Sequence, residues 1–239
     1  LVTEPVPKIP RWTSVWIDLE GGRFYDNYLY YDWTNIDAAL FFGEMDKQYI
    51  DFIHSKNTEV HATVGFGDIK RLNKKKRKEY IDSWLNLIEK MNLDGISLDY
   101  EDGSLLPRSK DNLISLLQET KEAFAETYPE KSLKLTFCIN YSPAALNCLT
   151  GRCYPLRSMA KILDYMIIMG YDAEQDWWGA NTWGHTTDPY YRLKRGLREY
   201  IQCLGIPPYK LTLALPWYSW AFKCEEASLQ PSIERQPRE

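Results

Sequence analysis

The chain reads as an α/β protein of the (β/α)8 barrel type, stopping after its seventh strand. Three observations predict this. Short apolar runs alternate with helix-spaced segments seven times, the pattern of a parallel sheet wrapped by helices. One run, Asp94-Gly95-Ile96-Ser97-Leu98-Asp99-Tyr100-Glu101, carries acids toward its C-terminal end, where barrels of this kind hold their active sites. The 239 residues, 44% hydrophobic and 26% charged, are enough for one large core.

The elements follow in order. Pro5, Pro7 and Pro10 make the start extended, and residues 1–12 are expected to stand apart as an N-terminal segment. Thr13 to Leu19 is the first strand and Asp37 to Gly43 the second; Asp46 to Lys56 has helical spacing at Tyr49, Ile50 and Ile53. Glu59 to Phe66 is the third strand. The helix from Lys74 to Met91 aligns Tyr80, Ile81, Trp84, Leu85 and Ile88, and its Lys74-Lys75-Lys76-Arg77-Lys78 run reads as a solvated face. After the acidic strand Pro107 breaks the chain, and Asp111 to Tyr128 is a long amphipathic helix. Leu133 to Tyr141 is the fifth strand, Pro155 to Leu163 a short helix and Tyr165 to Asp172 the sixth strand. Tyr190 to Leu204 is a helix and Leu211 to Trp217 the seventh strand. The barrel is assigned to residues 13–224. Residues 225–239 have neither period nor apolar face, so an eighth strand is missing and the barrel is expected to be incomplete.

Side chains two apart on a strand share a face. Ser97, Asp99 and Glu101 therefore point into the lumen, and Ile96, Leu98 and Tyr100 toward the helices. Two carboxylates roughly 6–7 Å apart along a strand can raise each other's pKa, an arrangement that suits a proton donor beside an ionised helper. The net charge of −4 gives no electrostatic reason for a nucleic-acid or anionic-membrane partner. No run is long and apolar enough for a membrane span, and no basic-then-apolar secretory leader opens the chain. Nine Trp and 17 Tyr suit sugar faces as well as a core. His54, His61 and His185 lack ligand-like spacing and are read as structural; neither metal nor cofactor is expected. Of the five Cys, Cys148 and Cys153 bracket a loop that a disulfide could close. Cys138 and Cys203 are read as buried thiols, and Cys224 is left odd.

The acidic octapeptide closely resembles the Asp-Gly-x-x-x-Asp-x-Glu signature of glycoside hydrolase family 18, the chitinase-like barrels. Tyr31-Asp32-Trp33, His54-Ser55-Lys56, Met169-Gly170-Tyr171-Asp172 and Pro216-Trp217-Tyr218 extend the likeness from about Thr13 to Cys224. The resemblance implies hydrolysis of β-1,4 bonds in N-acetylglucosamine oligosaccharides, such as chitin fragments or the chitobiose core of N-glycans, with retention and with the substrate's own acetamide as nucleophile. It implies Glu101 as acid, Asp99 as orienter of the acetamide and Tyr171 as donor to its carbonyl. It also implies Asp172, Ser97, Asp94, Trp217 and Tyr141 as substrate-binding residues. Ser97 stands where most chitinases carry a further Asp, which removes any proton relay through that position. The family's eighth strand carries a Trp beneath the sugar, and nothing here matches it. Trp177, Trp178 and Trp183 are equally readable as sugar platforms or as a self-packed loop. A non-catalytic chitooligosaccharide lectin and an inactive shortened isoform remain as alternatives. The resemblance points to the lysosome, with secretion as the alternative; oligomeric state is open.

Overall fold

The computed structural model describes residues 12–17, 27–43, 45–67, 69–101, 107–143, 154–171 and 190–216. Among these residues seven strands, β1 (Ser14–Ile17), β2 (Ala38–Phe42), β3 (Glu59–Val64), β4 (Gly95–Leu98), β5 (Lys134–Asn140), β6 (Tyr165–Met169) and β7 (Leu211–Ala214), form one sheet in sequence order. All six pairings are parallel, as the alternating pattern predicts. The helices are α1 (Lys47–His54), α2 (Lys74–Met91), α3 (Pro107–Thr127), α4 (Leu156–Ile162) and α5 (Tyr190–Arg198).

Local chemistry sets the ends. Asn73 caps α2 by accepting from the Lys76 amide at 3.0 Å, and Asn92 closes it in the left-handed conformation that asparagine tolerates. Helix α3 begins at Pro107 rather than at Asp111: proline in the first turn gives up an N–H that has no helical partner there. Helix α5 widens after Arg198 into a π-turn, Glu199–Cys203. The wider turn shifts the phase of the last side chains. Tyr200 takes the buried face and Cys203 is left exposed, which corrects its reading as a buried thiol. The basic run on α2 is not merely solvated. Lys76 pairs with Glu79, Lys78 with Asp82, and Arg77 grips Glu119 of α3 with two nitrogens at 2.7 and 2.9 Å.

The sheet has two packed faces. On the convex side Ile96, Leu98, Leu135, Phe137 and Ile139 meet Trp84 and Ile88 of α2 and Leu113, Leu116 and Leu117 of α3 in the main core. On the concave side a smaller cluster joins Ala38 and Leu40 of β2 to Cys138 of β5 and Ile167 and Met169 of β6. The curl is closed at its base by aromatic stacking. The Trp12 ring lies 4.4 Å from Tyr165 of β6, with planes 10° apart, and 5.9 Å from His61 of β3. Trp12 thus belongs to the barrel floor rather than to an extended leader.

His61 is fully buried and needs room. Gly95 supplies it: a methyl there would stand 3.1 Å from the His61 ring and 2.6 Å from the Lys134 carbonyl oxygen. Gly95→Ala therefore forces two strands apart. It should cost about 1–3 kcal/mol, the usual penalty of overpacking, read as a lowered urea midpoint with an unchanged slope.

Candidate functional site

The site is built on the end of β4. Its ladder continues past Leu98, because the Asp99 amide donates to the Val64 carbonyl at 2.9 Å. Tyr100 is fixed on the helix side. Its ring stacks on Phe66 at 4.6 Å with planes 8° apart, and its carbonyl accepts the Tyr154 hydroxyl. With Leu98 and Tyr100 turned outward, strand alternation gives the concave face to Ser97, Asp99 and Glu101.

The register names their neighbours. Thr63, Ser97 and Thr136 lie side by side across β3, β4 and β5. The ladder ends at Leu98 opposite Phe137, which brings Asp99, the next residue, beside Cys138; Glu101 stands two residues further on. Burial falls in the same direction: Ser97 is fully buried, Asp99 half-buried with Oδ1 sealed from solvent, and Glu101 exposed at the mouth. Cys138 records the proximity of both acids. Burial first, then the Asp99 charge, push its thiol far above the ordinary range; a Ser97 hydrogen bond works against this, and Glu101 adds a smaller push. Below them Trp16 Nε1 donates to Thr63 Oγ1 at 3.0 Å. Two strands along the sheet, at the end of β6, Tyr171 is half-buried against the concave cluster, two residues past Met169 and so on its face.

Of the residues expected in the site, Ser97, Asp99, Glu101 and Tyr171 lie on this concave face. Two others do not join them. Asp94 sits at the opposite end of β4, where Oδ2 accepts from the Val60 amide at 2.8 Å and lies 2.7 Å from His54 Nε2. Seven strand steps separate it from Glu101, about 23 Å. Tyr141 also falls away. Alternation after Cys138 gives the lumen to Asn140, which is buried and in register with Met169, while the Tyr141 carbonyl lies under Gly196 of α5. Counting in twos along β5 from Cys138 gives Asn140 as the lumen residue. Asp172, Trp217, Trp177, Trp178, Trp183, His185, Cys148, Cys153 and Cys224 lie outside the described residues.

A family model described as glycosyl hydrolases family 18 matches residues 28–237. The human di-N-acetylchitobiase is 29% identical over 197 residues, 81% of this chain and 49% of its own length. A probable chitinase 2 of Drosophila melanogaster is 30% identical over 155 residues, 62% of this chain and 30% of its own. The chain thus spans about half the length of the chitobiases it matches. Among solved structures, a Cycas revoluta chitinase mutant in complex with (GlcNAc)4 superposes with a TM-score of 0.70 at 17% identity, covering 85% of this chain and 68% of that one. A tobacco class V chitinase mutant in complex with NAG4 gives 0.64 at 22% identity, covering 84% and 65%. At such identities the superpositions speak for the barrel fold.

The placement of Asp94 makes it a structural residue. Asp94→Ala should lower unfolding stability by about 1–3 kcal/mol, because the Val60 amide loses a charged acceptor. Chemical denaturation measures this, and an unchanged midpoint would return Asp94 to the pool of functional candidates.

Proposed function

The chain belongs to glycoside hydrolase family 18, and from that premise we propose that it cleaves β-1,4 bonds between N-acetylglucosamine units with retention at the anomeric carbon. The single observation that carries the reading is the placement of Asp99 and Glu101 on one concave strand end, the first half-buried and the second exposed. An exposed acid at the mouth can reach a glycosidic oxygen. A half-buried neighbour beside it is held in a fixed place.

Glu101 gives its proton to the leaving oxygen as the bond to the anomeric carbon breaks. The carbonyl oxygen of the sugar's own acetamide forms the new bond to that carbon, so no protein nucleophile is required. Asp99 accepts from the acetamide N–H and balances the positive charge of the cyclic intermediate. The Tyr171 hydroxyl donates to the attacking carbonyl. Water, deprotonated by Glu101, then opens the ring, and the acid is restored. Asp172 and Trp217, by their family positions, hold the sugar's hydroxyls and face. The chain needs no cofactor for this chemistry. An acidic compartment such as the lysosome suits an acid that must be protonated at the start of each cycle.

Turnover of chitobiose and chitotetraose, with product anomers followed by proton NMR, tests the reading. Glu101→Gln should lower kcat by a hundredfold or more while leaving oligosaccharide affinity within a few fold. A substrate with a hydroxyl in place of the acetamide should not be cleaved. Activity that survives Glu101→Gln refutes the assignment, and binding without turnover in the unaltered chain makes the barrel a lectin.

A further inference from the structure

Beneath Asp99 lies a layer that the reaction leaves without a task. Ser97 and Thr136 are fully buried, adjacent in the β4–β5 register and on the concave face. Neither Ser97 Oγ nor Thr136 Oγ1 makes a conventional hydrogen bond. What Ser97 has in reach is the Cys138 sulfur, on the next concave position of β5 and beside Asp99. A buried hydroxyl with no partner, or with only a sulfur for one, is costly, and both kinds lie here beneath a carboxylate.

We propose that Cys138 is a positioning residue for Asp99: its thiol, backed by the Ser97 and Thr136 hydroxyls, forms a neutral donor floor that keeps the Asp99 carboxylate ionised and in place. The inference rests on the glycosidase reading only for its kinetic consequence. Three features support it. Cys138 is buried and the Oδ1 edge of Asp99 is sealed from solvent, so a weak S–H donor between them counts for more than it would at a surface. The thiol is protonated throughout the working range, because burial and the two carboxylates oppose its ionisation. The residue at position 97 is a neutral serine. An acid there would compete with Asp99 for a proton, whereas hydroxyls and a thiol only donate. The titratable groups around Cys138 among the described residues are Asp99 and Glu101 from β4 and Tyr171 from β6, with His61 of β3 and Tyr165 of β6 in deeper layers.

The experiment uses the full chain with Cys138→Ala, Cys138→Val and Cys138→Ser. The Asp99 carboxyl is titrated by carbon-13 NMR, its signal assigned by loss in Asp99→Asn. Removing a donor from a carboxylate disfavours the charged form. In the Ala and Val variants the Asp99 midpoint should therefore move up by about half a pH unit or more, and Ser should hold it at or below the unaltered value. The acidic limb of kcat against pH should move with it. Below the optimum kcat should fall about three- to tenfold, with KM within twofold, and Ser should restore it. The Val variant, which refills the space of the sulfur without a donor, guards against a cavity defect in Ala. An Asp99 midpoint that stays put in both overturns the proposal, whether or not the chain turns over. A midpoint that moves and is rescued by Ser, in a chain that cleaves nothing, upholds the donor floor and defeats the glycosidase reading alone.

Discussion

Everything at the mouth of the barrel depends on the register of β4 between β3 and β5. Ile96 and Leu98 are fully buried on the convex side, each contributing about 1.5–3 kcal/mol through its removal from water. A slip of one residue would turn them into the lumen and press Ser97 and Asp99 into the apolar layer beneath α2 and α3. An unpaired carboxylate there costs several kcal/mol. Both penalties act in the same direction, so the apolar half of the strand determines where the polar half points. The stack of Tyr100 on Phe66 and the Tyr154 hydroxyl on the Tyr100 carbonyl extend that control beyond the last ladder residue, to the position before Glu101.

The concave side is graded along the barrel axis. Trp12, His61 and Tyr165 stack at the base. Above them stand the hydroxyls of Thr63, Ser97 and Thr136 with the Trp16 indole, then Asp99 and Cys138, and finally Glu101 at the opening. From the buried hydroxyl layer upward, charge and exposure rise together toward the mouth. Water is excluded from the hydroxyl layer, where a fixed charge or dipole acts over a longer range, and is present at the top, where a proton must come and go. The gradient matters more than any one contact, because it gives two carboxylates on the same strand different surroundings.

Much of this was legible in the sequence. Alternation of apolar runs with helix-spaced segments yielded the parallel order of seven strands, and counting in twos through Ile96 to Glu101 yielded the face of each side chain. What escaped notice had physical causes. Trp12 follows a proline-rich start, and its place in the floor comes from a stack with Tyr165, far away in sequence. Cys203 has the spacing of a buried α-helical residue, but the π-turn changes the phase beneath it. The α2 cations look solvated because their partners include Glu119, on another helix. Asn140 lies near the end of β5, where only the strand period, and no acidic or aromatic signal, marks it as facing the lumen.

Asp94 shows how a signature can join two tasks. Its eight residues are one strand read lengthwise, and in a parallel barrel the two ends of a strand open on opposite faces. The carboxylate at the start fixes the α1 end and the neighbouring strand through His54 and the Val60 amide. Gly95 makes room for the buried His61 ring. Both bear on the seating of β4, which in turn sets the height and direction of Asp99 and Glu101. Residues roughly 20–23 Å from the mouth therefore act on the site only through the strand that carries it. The spacing of the motif follows from the length of a barrel stave, with anchoring groups at its foot and reactive groups at its head.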